Sequence, residues 1–262
     1  MVVNKPGGGH TIAYREIHDA KPDGYTIGGG YVTITANKLQ GLLPYDHEAF
    51  TVLGAFATYI PIIVGSVKTQ RPFKTMEEAL KFAKANPGEV SLATSGVGQS
   101  WWIGTLAFQA GTGLKFNIIP QPGAGAFAIS QVAGGHVDLG VLALGSAKSQ
   151  IDAGNARFLA VFGDRRAQPP YDKVPTLKDL GYDISWESPQ TLLGPPKMPK
   201  DIVDKLAKVF EKVASEPEYQ KIVTDRNANP LVLSPEKTVQ FLNEQRRVCR
   251  TVMEKAGILK EK

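Results

Sequence analysis

Three short apolar runs in this chain break into glycines and small polar residues, and each is followed by a segment with helical character. They lie at residues 2–11, 90–100 and 118–127. A strand that enters a helix through glycines leaves backbone N–H groups at the helix start without intrahelical acceptors, and the helix dipole adds partial positive charge there. Such a turn suits a phosphate or a carboxylate. Three of them in one chain predict several loops that converge on one anionic ligand.

Composition and charge exclude several classes of function. The chain has 262 residues, 42% of them hydrophobic and 21% charged, which is ordinary for a globular protein and long enough for two lobes. The net charge is +5, but the basic residues alternate with acidic ones, so a nucleic-acid partner is not predicted. Cys249 is the only cysteine, which excludes an internal disulfide. No run approaches the roughly 20 apolar residues of a membrane span, and residues 1–20 lack signal-peptide character.

Residues of the kinds used in catalysis or metal binding do not form recognisable motifs. The histidines lack metal-ligand spacing and have no cysteine partners: His10, His18, His47 and His136. No nucleophile elbow, H-E-x-x-H segment or Walker loop occurs. Residues 123–128 fit the looser dinucleotide pattern G-x-G-x-x-A, but no acidic residue ends a following strand about 20 residues on. The sequence therefore predicts no catalyst, metal or cofactor.

Periodicity and turn signals predict strands that alternate with helices. The predicted strands are 1–4, 25–35, 51–57, 60–67, 90–94, 115–120, 137–142, 158–162 and 192–194. The predicted helices are 10–20, 75–85, 101–110, 126–133, 146–153, 200–215, 217–225 and 235–255. Thr75 with Glu78 three residues later has capping-box spacing. The alternation favours an α/β protein with a parallel sheet and a helical tail that covers one face.

Several motifs occur in the order of one known family. The segment Asn-Lys-Pro-Gly-Gly-Gly at 4–9, followed by Pro-Asp-Gly-Tyr-Thr at 22–26, resembles the "N-[RK]-P-G-[AG]-G … P-D-G-Y-T" signature of the tripartite tricarboxylate transporter receptors, also called Bug proteins. Further matches are Ser-Gly-Val-Gly-Gln-Ser at 95–100, Gly-His-Val-Asp at 135–138, Val-Pro-Thr-Leu at 174–177, Gly-Pro-Pro at 194–196 and Leu-Ser-Pro at 233–235. The resemblance covers nearly the whole chain.

The resemblance implies a fold and a function. It implies a two-lobed, type II-like periplasmic-binding-protein fold, in which each lobe is a mostly parallel sheet flanked by helices and a cleft lies between the lobes. We expect lobe one at 1–95 and 190–262 and lobe two at 96–189, with hinges at 94–96 and 188–192. It also implies a monomeric periplasmic receptor, not an enzyme. Such a receptor captures a di-/tricarboxylate or an aromatic acid and delivers it to the membrane permease subunits of the transporter.

The candidate ligand contacts lie mainly on two small-polar loops that match the family's cleft. They are Ser95, Gly96, Val97, Gly98, Gln99, Ser100 and Trp101 in one loop, Gln121, Pro122, Gly123 and Ala124 in the other, and Tyr31, Thr33 and Asp138 elsewhere. Hydroxyls and glycine amides can hold a carboxylate without a buried cation. The indoles of Trp101 and Trp102 stand where the family often has His-Leu, and both ligand stacking and core packing stay open for them.

The resemblance leaves two points open. The family begins with a strand and a Pro-Gly-Gly loop ahead of the region that matches here, so we expect this chain to lack that first βα unit. Two other functions also fit the glycine turns. One is an enzyme that binds a phosphorylated or nucleotide ligand, which measurable turnover would reveal. The other is a ligand-sensing module for a signalling receptor, which the neighbouring genes would reveal.

Overall fold

The computed structural model describes residues 1–5, 7–123 and 125–260, and the chain divides into two compact units. The first unit comprises Met1–Tyr59 and Ser188–Lys262, and the second comprises Ile60–Glu187. The predicted boundary near residue 95 is therefore wrong, because the strands between residues 60 and 95 hydrogen-bond to the second unit's sheet. The expected hinge at 94–96 lies within the second unit, and the chain leaves that unit at Glu187.

Strands and helices alternate along much of the chain. In the described residues the strands are β1 (Gly28–Gly30), β2 (Thr51–Tyr59), β3 (Pro61–Ser66), β4 (Ser91–Thr94), β5 (Asn117–Pro120), β6 (Leu139–Ala143), β7 (Ala156–Val161), β8 (Ser188–Gly194) and β9 (Asn229–Leu233). The α-helices there are α1 (Thr11–His18), α2 (Thr33–Leu39), α3 (Met76–Ala85), α4 (Ser100–Thr112), α5 (Gly125–Gly134), α6 (Leu144–Asp152), α7 (Lys200–Ser215), α8 (Pro217–Asp225) and α9 (Pro235–Lys255). The α/β class, with two sheets and flanking helices, is confirmed.

The sheet of the first unit has the order β1-β8-β2-β9. Every neighbouring pair in it is antiparallel, so the expectation of a mostly parallel sheet is wrong for this unit. The reason is that β8, which returns from the second unit, inserts between β1 and β2 and runs opposite to both. The core of this unit combines residues of α1, α2, the sheet and the segment between α2 and β2: Tyr14, Ile17, Ile34, Leu43, Phe50, Val52 and Leu193.

The sheet of the second unit has the order β5-β4-β6-β3-β7 and is mixed. Strand β4 is parallel to both β5 and β6, whereas β3 is antiparallel to β6 and β7. Its core lies between the sheet and helices α5 and α6, and includes Ile62, Val64, Ala93, Ile129, Val132 and Leu142. The parallel expectation is therefore correct for three strands only. Each of these three leads directly into a helix.

Local predictions differ from the structure mainly near the start of the chain. Residues 1–4 form no strand, and the predicted strand 25–35 is a short β1 followed by helix α2. The β-branched residues of α2 favour a strand by propensity, but the helix is buried on nearly every side, so tertiary packing decides its form. The N-cap half of the predicted capping box is confirmed, because Thr75 Oγ1 accepts the amide of Glu78 at 3.3 Å. The Glu78 carboxylate accepts the amide of Lys74 at 2.7 Å and not that of Thr75. Among the described residues, no helix is both long and apolar enough to cross a membrane.

Candidate functional site

Three parallel strands of the second unit end at one edge of its sheet. Strands β4, β5 and β6 run in the same direction, and helices α4, α5 and α6 begin just beyond their carboxyl ends. The amide of Gln121 donates to the carbonyl of Thr94 at 2.9 Å, which holds the β5–α5 loop against the end of β4. Helix starts gathered in this way concentrate outward-pointing amides and partial positive charge, the arrangement that binds anions.

Two backbone amides at the start of α4 have no hydrogen-bond acceptor among the described residues, so they could donate to a ligand. Ser95 is 1% exposed, and its Oγ accepts the amide of Trp102 at 3.1 Å, the bond that an N-cap side chain would otherwise make. Gly98 has φ +81°, a left-handed conformation that favours glycine. In the described part of the chain, the amides of Ser100 and Trp101 make no hydrogen bond. These two N–H groups are the strongest candidates for contact with an anion.

Helices α5 and α6 begin in contact with each other. A Cβ added at Gly125 would lie 2.8 Å from Ser146 Oγ and 3.1 Å from Leu142 Cβ, so only glycine fits this crossing. Helix α6 has Ala143 at its N-cap and no side-chain cap. Sequence reasoning missed this third turn because the junction of β6 and α6 has one glycine, Gly145, and no run of glycines and small polar residues like those after β4 and β5. The parallel pairing of β6 with β4 is the signal that would have found it.

The remaining predicted contacts of these two loops differ in exposure. Val97, Pro122 and Gly123 are exposed, Gln99 and Gln121 are half-buried, and Ala124 lies outside the described residues. The Ser100 hydroxyl accepts the indole N–H of Trp186 at 3.2 Å, so it also has a packing role. Trp102 is buried, which favours core packing, whereas Trp101 is half-buried and keeps part of its ring accessible.

Asp138 lies at the opposite edge of the sheet, away from the β4–α4 and β5–α5 loops. It precedes β6, whereas the loops follow β4 and β5. Its carboxylate accepts the amide of Ser91 at 3.0 Å and the Ser91 hydroxyl at 2.9 Å, and it pairs with Arg71 at 3.2 Å. The carboxylate is almost fully buried, and its hydrogen bonds connect the start of β4 to the start of β6.

Tyr31 and Thr33 belong to the first unit, where they lie beside the first glycine turn. Thr33 Oγ1 lies 2.9 Å from the hydroxyl of Tyr14 and 3.3 Å from Nδ1 of His10. The ring of His10 faces that of Tyr31, with centroids 5.3 Å apart. Burial lowers the pKa of His10 and raises that of Tyr31. The sequence pattern excludes a metal-ligand role for His10 and predicts no other, and the structure places it in this polar cluster.

The β4–α4 and β5–α5 loops carry no charged side chain. Residues 95–101 and 120–133 contain no Asp, Glu, Lys, Arg or His. Within residues 1–5, 7–123 and 125–260, no group of three or more His, Cys, Asp or Glu side chains could hold a metal ion. This edge of the sheet can therefore stabilise an anion through backbone amides and side-chain amide groups.

Comparison with known proteins identifies the family. Residues 1–258 match the family described as "Tripartite tricarboxylate transporter family receptor". The chain belongs to this receptor family. A relative from Cupriavidus necator, described as "UPF0065 protein in gbd 5'region", is 28% identical over 99% of this chain and 78% of its own length.

Solved receptor structures resemble the whole chain. The structure "R. palustris Rpa4515 with adipate" has 25% sequence identity and a TM-score of 0.83, covering 95% of this chain and 83% of that one. The "Structure of periplasmic binding protein BugD" has 25% identity and a TM-score of 0.82, covering 99% of this chain and 87% of that one. These similarities confirm the Bug-type receptor fold and a solute-binding role.

Proposed function

We propose that this receptor captures a small organic carboxylate outside the cytoplasm and delivers it to the membrane permease of a tripartite tricarboxylate-type transporter. The observation that carries the proposal is the pair of free amides at Ser100 and Trp101, beside the β5–α5 loop, in a chain of this family. The related receptor with adipate supports a carboxylate ligand. The description of BugD as a periplasmic binding protein supports a location outside the cytoplasm.

In this proposal the carboxylate sits at the carboxyl edge of β4 and β5. The amides of Ser100 and Trp101 donate to its oxygens, and the half-buried side chains of Gln99 and Gln121 supply further N–H donors. Hydrogen bonds to a charged group contribute about 1.5–3 kcal/mol each, so two or three of them account for useful affinity without an arginine. Ligand contacts by Tyr31 and Thr33 of the first unit stay predictions, which Tyr31→Phe and Thr33→Ala variants would test.

A calorimetric titration of the full chain tests the proposal. The probes are adipate, malate, citrate and phenylacetate, with inorganic phosphate and ATP as comparison ligands. We expect at least one carboxylate to bind, and phosphate and ATP to bind far more weakly. Binding of ATP or phosphate with no binding of any carboxylate would favour a phosphorylated or nucleotide ligand instead. Delivery is tested separately, by measuring uptake of the bound acid in cells that carry or lack the chain.

A further inference from the structure

Two apolar side chains of the second unit are unusually exposed. Val97 is 59% exposed and Phe127 is 54% exposed. Among the described residues of Ile60–Glu187, every other Leu, Ile, Val, Met, Phe, Trp and Tyr is at least partly buried. Isolated apolar residues on a surface are normal, but two that belong to one site mark a surface that contacts an apolar partner.

Val97 and Phe127 belong to the two loops that form the candidate carboxylate site. Val97 lies in the β4–α4 loop, next to Gly96. A Cβ on Gly96 would be 3.4 Å from the carbonyl oxygen of Gln121, so the two loops touch there. Phe127 is in the first turn of α5, and its ring lies beside Gly123, with Cδ2 3.5 Å from the position of a Cβ there. Both apolar groups therefore belong to the pair of loops that meet at Gly96 and Gln121.

The absence of charged side chains in these two loops restricts which ligands they can bind. They have no cationic side chain, so a ligand that presents several carboxylates here would lose hydration without gaining a counter-charge. One carboxylate can be satisfied by the amides of Ser100 and Trp101. The exposed surface of Phe127 and Val97 gains most from a ligand skeleton without hydroxyl groups, because covering apolar surface with an apolar group removes both from water.

We propose that Phe127 and Val97 are specificity-determining residues, which select carboxylates whose skeleton next to the bound carboxylate is apolar. Phenylacetate, with an aromatic ring, and adipate, with an unsubstituted methylene chain, represent this class. Malate, with a hydroxyl group, and citrate, with a hydroxyl and a third carboxylate, represent the class that is disfavoured. The inference rests on the proposed function, since it concerns the skeleton of the acid that the same site holds.

Calorimetry on the full chain and on its Phe127→Ala and Phe127→Leu variants tests this selection. We expect the unaltered chain to bind phenylacetate or adipate about tenfold more tightly than malate and citrate. Phe127→Ala should lower the affinity for phenylacetate and adipate about five- to tenfold, which is the scale of an aromatic contact. The affinity for malate and citrate should change by less than about twofold. Phe127→Leu should recover part of the adipate affinity. Val97→Thr, which keeps the volume and adds a hydroxyl, should act in the same direction.

Ile222→Ala provides a matched control, because Ile222 is an exposed apolar residue of the first unit. It should change no affinity. Equal or tighter binding of malate and citrate by the unaltered chain would overturn the selection while the carboxylate function stands. Equal losses for all four acids in Phe127→Ala would also overturn it. If Phe127→Ala leaves all four affinities unchanged but reduces permease-dependent uptake, the proposal is also overturned. That result would show that the Phe127 ring contacts the permease and not the ligand. Binding of none of the acids would contradict the proposed function itself.

Discussion

The amide of Gln121 donates to the carbonyl oxygen of Thr94 at 2.9 Å, and this bond joins the loop after β5 to the end of β4. It extends the parallel ladder of the two strands by one step beyond Pro120. The two loops therefore form one surface whose geometry is fixed by sheet pairing. The account of ligand binding depends on this surface, and the following predictions test its parts separately.

The amide of Ser100 can be removed without disturbing the helix. Proline is tolerated in the first turn of a helix, and Gln99 has φ −84° and ψ 162°, which a following proline accepts. Ser100→Pro should weaken carboxylate binding by roughly 1.5–3 kcal/mol, the contribution of a hydrogen bond to a charged group. Ser100→Ala keeps the amide and loses the same hydroxyl, so it is the control. Equal affinities of the two variants, measured by calorimetry, would remove this amide from the site.

The contact between the starts of α5 and α6 should be sensitive to a single methyl group. Gly125→Ala would place its Cβ 2.8 Å from Ser146 Oγ, so we expect unfolding free energy to fall by about 1–3 kcal/mol. Ser146→Gly in the same chain should recover part of that loss. Chemical denaturation of both single variants and the double variant measures the coupling. Additive effects would show that the two helix starts are not in contact.

Asp138 should matter for stability and not for binding. Asp138→Ala leaves Ser91 and the buried side of Arg71 without their acceptor, so we expect a loss of roughly 3–5 kcal/mol in unfolding free energy. Glu89→Ala removes an exposed partner of the same arginine and should cost about 1 kcal/mol or less. Ligand affinity of the folded Asp138→Ala variant should match that of the unaltered chain. If the fully folded Asp138→Ala variant binds the ligand much more weakly, Asp138 would be a ligand contact after all.

Protonation of His10 should destabilise the first unit. Burial lowers the pKa of His10 below its ordinary value of 6.5, so the folded state favours the neutral ring. This contribution is fully present above pH 6.5 and is lost as the pH falls through the lowered pKa. His10→Asn tolerates the left-handed φ of +73° and should show a smaller fall in Tm between about pH 7.5 and pH 5. The exposed His136→Asn variant is the control, and an unchanged pH profile for His10→Asn would contradict the assignment.

Parts of both units could be predicted from sequence because their signals are local. In the second unit, the glycine turns after β4 and β5 predicted two loops that the structure places side by side. In the first unit, helices α7, α8 and α9 match their predicted bounds. Strand direction could not be predicted in this way. Residues of β3 read as a strand in any setting, and only long-range pairing makes it antiparallel to β6.

The roles of individual site residues could not be predicted, because they depend on contacts between residues that are distant in sequence. Asp138 is the last residue of the Gly-His-Val-Asp motif that matches the family. Its contacts in the structure are with Ser91 and Arg71, which are distant in sequence. Ser95 was predicted as a ligand contact, and its hydroxyl is already used by the amide of Trp102. Phe127 lies in an ordinary apolar helix pattern, and its exposure follows only from the position of α5 on the sheet.

Backbone amide NMR during a titration with adipate tests the central claim most directly. If the carboxyl edge of β4 and β5 holds the carboxylate, the largest shifts should fall on Ser100, Trp101 and residues 121–127. The starts of β4 and β6, at Ser91 and Asp138, provide an internal control within the same sheet and should shift little. Saturable shifts confined to other segments, or no shifts with adipate, malate, citrate or phenylacetate, would contradict the account.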